Sequence, residues 1–138
     1  MNRKAKGSHA ERELIHMLHE AGWGIIRSAG SGSTPLPSTD IIAGNGKRYV
    51  AIECKATKYP AKYFYPEEID QLVTFAQRFG AEPWLGLRFN NQQWYFVQPS
   101  QLLQSKNGNL NMSLEEVKKV GKTFEMLTRG ERNAVKHD

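Results

Sequence analysis

The chain has 138 residues, 39% of them hydrophobic and 24% charged, with a formal net charge of +5. That is enough for one domain with a real core but not for two independent ones, and no run approaches the roughly 18 apolar residues of a membrane span. One cysteine permits no internal disulfide and no zinc site of paired cysteines, and the polar start Met1–Lys6 is not expected to act as a secretory signal. A reducing, cytoplasmic setting fits, and the basic balance (pI near 9.4) points to a polyanionic partner.

Residues 8–21 read as the first helix. Ser8 is placed as its N-cap, Glu11 follows three residues later as in a capping box, and Gly22 ends it. Leu14, Met17, Leu18 and Ala21 form the buried stripe. Glu11 lies one turn before Leu14 and Ile15, so it serves either the helix start or a site on the sheet side.

Gly24–Ser28 read as a short strand, and Ala29–Pro37 as a Gly/Ser/Pro loop, either a connector or a gate, that leads straight into Asp40. Ile41–Ala43 and Tyr49–Ile52 then flank Gly44-Asn45-Gly46, a strong hairpin signal. The hairpin lays Asp40 beside Glu53 and Lys55, which are two apart in a strand and share a face. Asp40, twelve residues, Glu53, one residue, Lys55: two carboxylates and an ammonium converge, as a centre that holds a divalent metal and activates water would require. The competing reading is a solvated charge pair on a half-exposed strand. Ala51, Ile52, Cys54 and Ala56 favour a site, because ionisable groups leaving a buried strand are costly unless paired or metal-bound. Cys54 alternates with Glu53 and Lys55 and reads as a small core residue. Arg3, Lys4, Lys6 and Arg12 crowd the start, and Lys47, Arg48, Lys55, Lys58 and Lys62 the hairpin region, several of them flanking the acids. Cations around a negative centre suit phosphodiester chemistry.

Tyr63–Tyr65 read as a strand, and Pro66–Phe79 as a helix closed by Gly80. Ile69, Leu72, Val73, Ala76 and Phe79 make its core face, with Phe75 to one side as a second contact surface. Strands 83–89 and 93–97 follow around Asn90-Asn91, then a short turn over 99–104. A helix over 114–127 contains Gly121, and a polar tail begins at Arg129. The order implies an α/β fold, a mixed central β-sheet flanked by helices whose inner strands carry the acids.

Helix glutamate plus D-x12-E-x-K resembles the PD-(D/E)XK nuclease superfamily, with Ser38-Thr39 where that superfamily has Pro before the Asp. The resemblance narrows to the archaeal Holliday junction resolvases through A-E-R-E-L at 10–14, R-S-A-G-S at 27–31, D-I-I-A-G-N-G-K at 40–47, I-E-C-K at 52–55 and F-A-Q-R-F-G at 75–80. It implies a restriction-endonuclease-like fold over 1–138 and a homodimer that cuts two opposed strands of a four-way DNA junction. It further implies Mg²⁺, with Mn²⁺ as a substitute, on Glu11, Asp40, Glu53 and the Cys54 carbonyl, and Lys55 at the attacking water. By the same resemblance Ser31, with Ser33 as the other choice, stands near the scissile phosphate. Arg12, Arg27 and Arg88 contact DNA, joined by the basic Arg3, Lys4 and Lys6, and Phe75 and Phe79 meet across the dimer. No organic cofactor is implied. The rivals are a superfamily nuclease acting on duplex or flap DNA, and a non-catalytic DNA-binding protein of the same fold.

Overall fold

The computed structural model describes residues 3–28 and 36–130, apart from the side chains of 3–8. Helix α1 (Arg3–Glu20) leads to β1 (Gly24–Arg27) and to the hairpin β2 (Ile41–Gly44) and β3 (Tyr49–Thr57). Then come β4 (Ala61–Phe64), α2 (Pro66–Phe79), β5 (Glu82–Phe89) and β6 (Trp94–Val97). A 3-10 turn (Pro99–Gln101), β7 (Leu103–Gln104), β8 (Leu110–Ser113), α3 (Leu114–Val120) and α4 (Phe124–Arg129) complete the described chain. Among the described residues no helix is long and apolar enough to cross a membrane.

The main sheet has the order β1-β2-β3-β5-β6, with β3 at its centre. Strand β3 is antiparallel to β2 (Ile41 opposite Ile52) and parallel to β5 (Glu53 beside Leu85), so the sheet is mixed as expected. Alternation sends Val50 and Ile52 into a core under α1 with Leu14, Leu18, Trp23 and Phe96. Ala51 goes into a second core under α2 with Ile69, Leu72, Leu85 and Val117. The hairpin turn is made locally: the Asn45 side-chain oxygen accepts the backbone N–H of Lys47 at 2.9 Å and of Arg48 at 2.8 Å, and Gly46 supplies φ +94°.

Several expectations change. Helix α1 starts at Arg3, because Arg3, Lys4, Ala5 and Lys6 are good helix formers and nothing at Ser8 stops them. Ser8 is therefore not an N-cap, and Glu11 is free of the capping role. Ala21 falls in the exposed turn past the helix, while Ala10 takes a core position. The strand expected at 63–65 is β4, which leaves the main sheet and pairs with β8; with β7 these form a second sheet of order β4-β8-β7. The helix over 114–127 is two helices. At Gly121, where a Cβ would lie 2.7 Å from the Val117 carbonyl, the chain departs so that Lys122 and Phe96 exchange two 2.8 Å backbone hydrogen bonds. Phe79 is not core. It is 52% exposed, stacks on Phe75 with centroids 5.5 Å apart, and meets the edge of Tyr49. The core face of α2 is Ile69, Leu72 and Ala76, with Val73 and Phe75 partly buried against the same core, and Phe79 lies to one side one turn after Phe75.

Candidate active site

Strand β3 is longer than its neighbour. Ile41, the first residue of β2, lies opposite Ile52, and β3 runs on to Thr57 paired only with β5. From Glu53 onward its other edge is therefore open to side chains from both faces. The residues before β2 close over this edge. Thr39, buried, donates its hydroxyl to the Ile52 carbonyl at 2.9 Å, and the Asp40 carboxylate accepts the Cys54 N–H at 2.9 Å. A residue's N–H and C=O point to one edge of a strand, so the Cys54 carbonyl faces the same side. The Ser28 N–H donates to the Asp40 carbonyl at 2.8 Å, which brings the end of β1 to the same point. Residues 29–35, with Ser31 and Ser33 among them, lie outside the described residues.

Glu11 arrives from α1. Its carboxylate accepts a 3.2 Å hydrogen bond from Arg27 Nη2 and is 13% exposed, so it leans toward the sheet. Burial raises its pKa, the Arg27 hydrogen bond opposes this, and the Asp40 charge raises it again. Glu53 is perturbed further. Burial first, then the negative charges of Asp40, Glu68 and Glu11, outweigh Lys55 and push its carboxyl to about 8. Lys55 Nζ lies 3.9 Å from Glu53 and 3.3 Å from Glu68 on α2; the neighbouring carboxylates hold its pKa up against the opposing effect of burial.

Ligand atoms of Glu11, Asp40 and Cys54 all lie within 4.8 Å of one another. Cys54 packs toward the α1 core as its alternation required, yet its sulfur also borders the acids. Burial and the adjacent carboxylates drive its thiol pKa well above the usual range, so it is not a thiolate nucleophile. Glu53 stands outside this tight trio but is felt by Asp40 and Glu11 across the strand edge. Burial and then the neighbouring acids press Glu53 to hold a proton near neutral pH, a condition that a bound hard cation relieves. Their oxygen-rich donor set fits Mg²⁺ or Mn²⁺.

The expected DNA-contacting cations are placed unevenly. Arg12 is exposed on α1 and close enough to Glu11 to lower its pKa; Arg27 is tied to Glu11. Arg88 is engaged on three sides: it pairs with Glu13, donates to its own turn at the Gln92 carbonyl (3.1 Å) and lies over the Trp94 ring. It lines a cleft of about 200 Å³ with His9, Glu13, Thr57 and Asn91. The backbone of Arg3, Lys4 and Lys6 is the first turn of α1. Lys47 and Arg48 do not flank the acids. They sit in the hairpin turn at the far end of β2 and β3, where Arg48 donates to both Glu82 oxygens (2.7 and 2.8 Å) and to the Leu127 carbonyl. Glu68 was missed in the sequence: it stands at the third position of α2, where its relation to Lys55 depends on how that helix packs.

The chain is similar to known proteins over most of its length. The family model described as archaeal Holliday junction resolvase (Hjc) matches residues 2–134. The crossover junction endodeoxyribonuclease Hjc of Archaeoglobus fulgidus is 41% identical over 129 residues, covering 88% of this chain and 94% of that protein. The protein of the same name from Methanocaldococcus jannaschii is 35% identical over 128 residues, covering 92% and 90%. The crystal structure of the Archaeoglobus fulgidus Hjc, a Holliday junction resolvase from an archaeal hyperthermophile, superposes with a TM-score of 0.81 at 38% identity, covering 88% of this chain and 99% of that one.

Proposed function

The chain belongs to the archaeal Holliday junction resolvase (Hjc) family, and from that premise we propose that it is an endonuclease that resolves four-way DNA junctions by nicking two opposed strands. The observation that carries this reading is the convergence of Glu11, Asp40, Glu53 and Lys55 around the open edge of β3.

Glu11, Asp40, Glu53 and the Cys54 carbonyl would hold Mg²⁺, with Mn²⁺ as a substitute. When bound, the ion polarises the phosphate, lowers the pKa of water and offsets charge on the leaving 3′ oxygen. Asp40 is kept in place by the Cys54 N–H, so its carboxylate needs no reorientation. Glu53 would have to give up its proton to serve as a ligand. Lys55 donates to the attacking water and offsets negative charge on the pentavalent phosphorus. Ser31 would approach the scissile phosphate. No organic cofactor is required.

Arg12, Arg27 and the basic start of α1 (Arg3, Lys4, Lys6) would meet the phosphates of one arm, and Arg88 joins them by exchanging Glu13 for phosphate. Phe75 and Phe79, with exposed Tyr49 and Ile26, form an apolar face suited to a second copy of the chain. A two-fold dimer through that face would present two identical sites, one to each opposed strand. Such an enzyme works on DNA inside the cell, in the cytoplasm.

Cleavage of an immobile four-way junction beside a duplex of matching sequence, both with Mg²⁺, tests the reading. Symmetric paired nicks in the junction alone are expected. Equal cutting of the two would move the function to duplex repair or restriction, and tight junction binding without cutting would make the chain a non-catalytic DNA-binding protein.

A further inference from the structure

Lys55 stands between two carboxylates of unlike character. Glu53 belongs to the acidic cluster. Glu68 does not: its Oε1 lies 3.3 Å from Lys55 Nζ, while its Oε2 accepts the backbone N–H of Tyr65 at 3.0 Å, immediately before α2. Both oxygens of one carboxylate are thus engaged, one on the lysine and one on the helix start. The next residue, Ile69, is buried in the core beneath α2, as is Leu72. The Glu68 side chain therefore projects from a helical turn that the core holds fixed.

We propose that Glu68 is a positioning residue that holds Lys55 at the catalytic centre. An ammonium has three N–H donors. With one on Glu68 and one toward Glu53, the third remains for the reacting water. A bound divalent cation would draw the Glu53 oxygens to itself and repel the ammonium. Glu68 is then the carboxylate that keeps the lysine from swinging out to solvent on its flexible four-carbon stem. The pair is half-buried at the mouth of the site, and what it supplies there is aim. Neither D-x12-E-x-K nor the helix cap alone assigns Glu68 this work.

The inference rests on Lys55 being the catalytic lysine, and the experiment separates the two claims. Single-turnover cleavage of an immobile four-way junction with Mg²⁺ is measured for wild type, E68Q, E68D and K55Q, beside junction dissociation constants and unfolding midpoints. E68Q keeps an oxygen for the Tyr65 cap but loses its charge toward the lysine. It is expected to cut roughly 10–100-fold more slowly with binding and midpoint unchanged. E68D, retaining the charge, is expected to recover part of that loss. E68Q at the wild-type rate, or E68D as slow as E68Q, would overturn the positioning role while leaving the site intact. Wild-type cutting by K55Q would overturn the assignment of the lysine and the inference with it.

Discussion

Asp40 accepts a 2.9 Å hydrogen bond from the backbone N–H of Cys54, the residue between Glu53 and Lys55. Strand β2 does not extend this far, so the side chain of Asp40 takes the place of a ladder partner and fixes its own carboxylate against β3. D40N retains a carbonyl oxygen for that N–H, whereas D40A leaves it without its present acceptor. D40A is expected to be less stable than D40N by about 1–2 kcal/mol in urea denaturation.

The Glu53 carboxyl, raised to about 8 chiefly by burial and then by Asp40, ties stability to pH. Between its ordinary value of 4.5 and about 8 the folded chain holds a proton that the unfolded chain has released. The contribution of Glu53 to stability without metal is therefore fully present below about pH 4.5 and is lost as pH rises toward 8. Thermal unfolding in chelator should show that decline, E53Q should flatten it, and Mg²⁺ should reduce it by favouring the ionised carboxylate. A metal-free midpoint that rises over this range, with E53Q following wild type, would contradict the burial of a protonated Glu53.

Phe79 stands outside the core and stacks on Phe75, which packs against the core's edge, with Tyr49 against Phe79. F79E would place a charge in that face while leaving Ile69, Leu72 and Ala76 of α2 untouched. Sedimentation should show the self-association constant weakened at least about 30-fold, and the junction should be nicked on one strand rather than on two in concert. Undiminished association would exclude this face as the dimer contact.

Arg48 makes a two-pronged pair with Glu82, caps the Leu127 carbonyl and lies over Trp23, all at the end of the hairpin away from the acids. R48A should cost about 2–3 kcal/mol of stability, since it leaves Glu82 half-buried without its cation. Its cleavage rate at low temperature should equal that of wild type. A normal midpoint with weakened junction binding would instead place Arg48 among the DNA-contacting residues.

Local features were legible in the sequence. The Asn45-Gly46 turn fixes the register of β2 and β3, and that register delivers Asp40 to Glu53 and Lys55. Pro66 and Gly80 bracket α2 as their chemistry requires. What escaped depends on distant partners. β4 reads as another strand of one sheet because nothing in residues 61–64 announces its pairing with β8, nearly fifty residues on. The break at Gly121 follows from the Lys122–Phe96 bridge, and the role of Glu68 from the docking of α2. The extension of α1 to Arg3 runs against a local cap signal at Ser8-x-x-Glu11, because the helix formers before Ser8 carry the helix through it.

The most direct measurement is single-turnover cleavage of an immobile four-way junction in Mg²⁺ by wild type, D40N and E53Q, with junction affinity measured in parallel. Wild type should cut two opposed strands, and both variants should bind with similar, strongly salt-dependent affinity while cutting neither. Wild-type cutting by either variant would contradict the acidic centre on the open edge of β3.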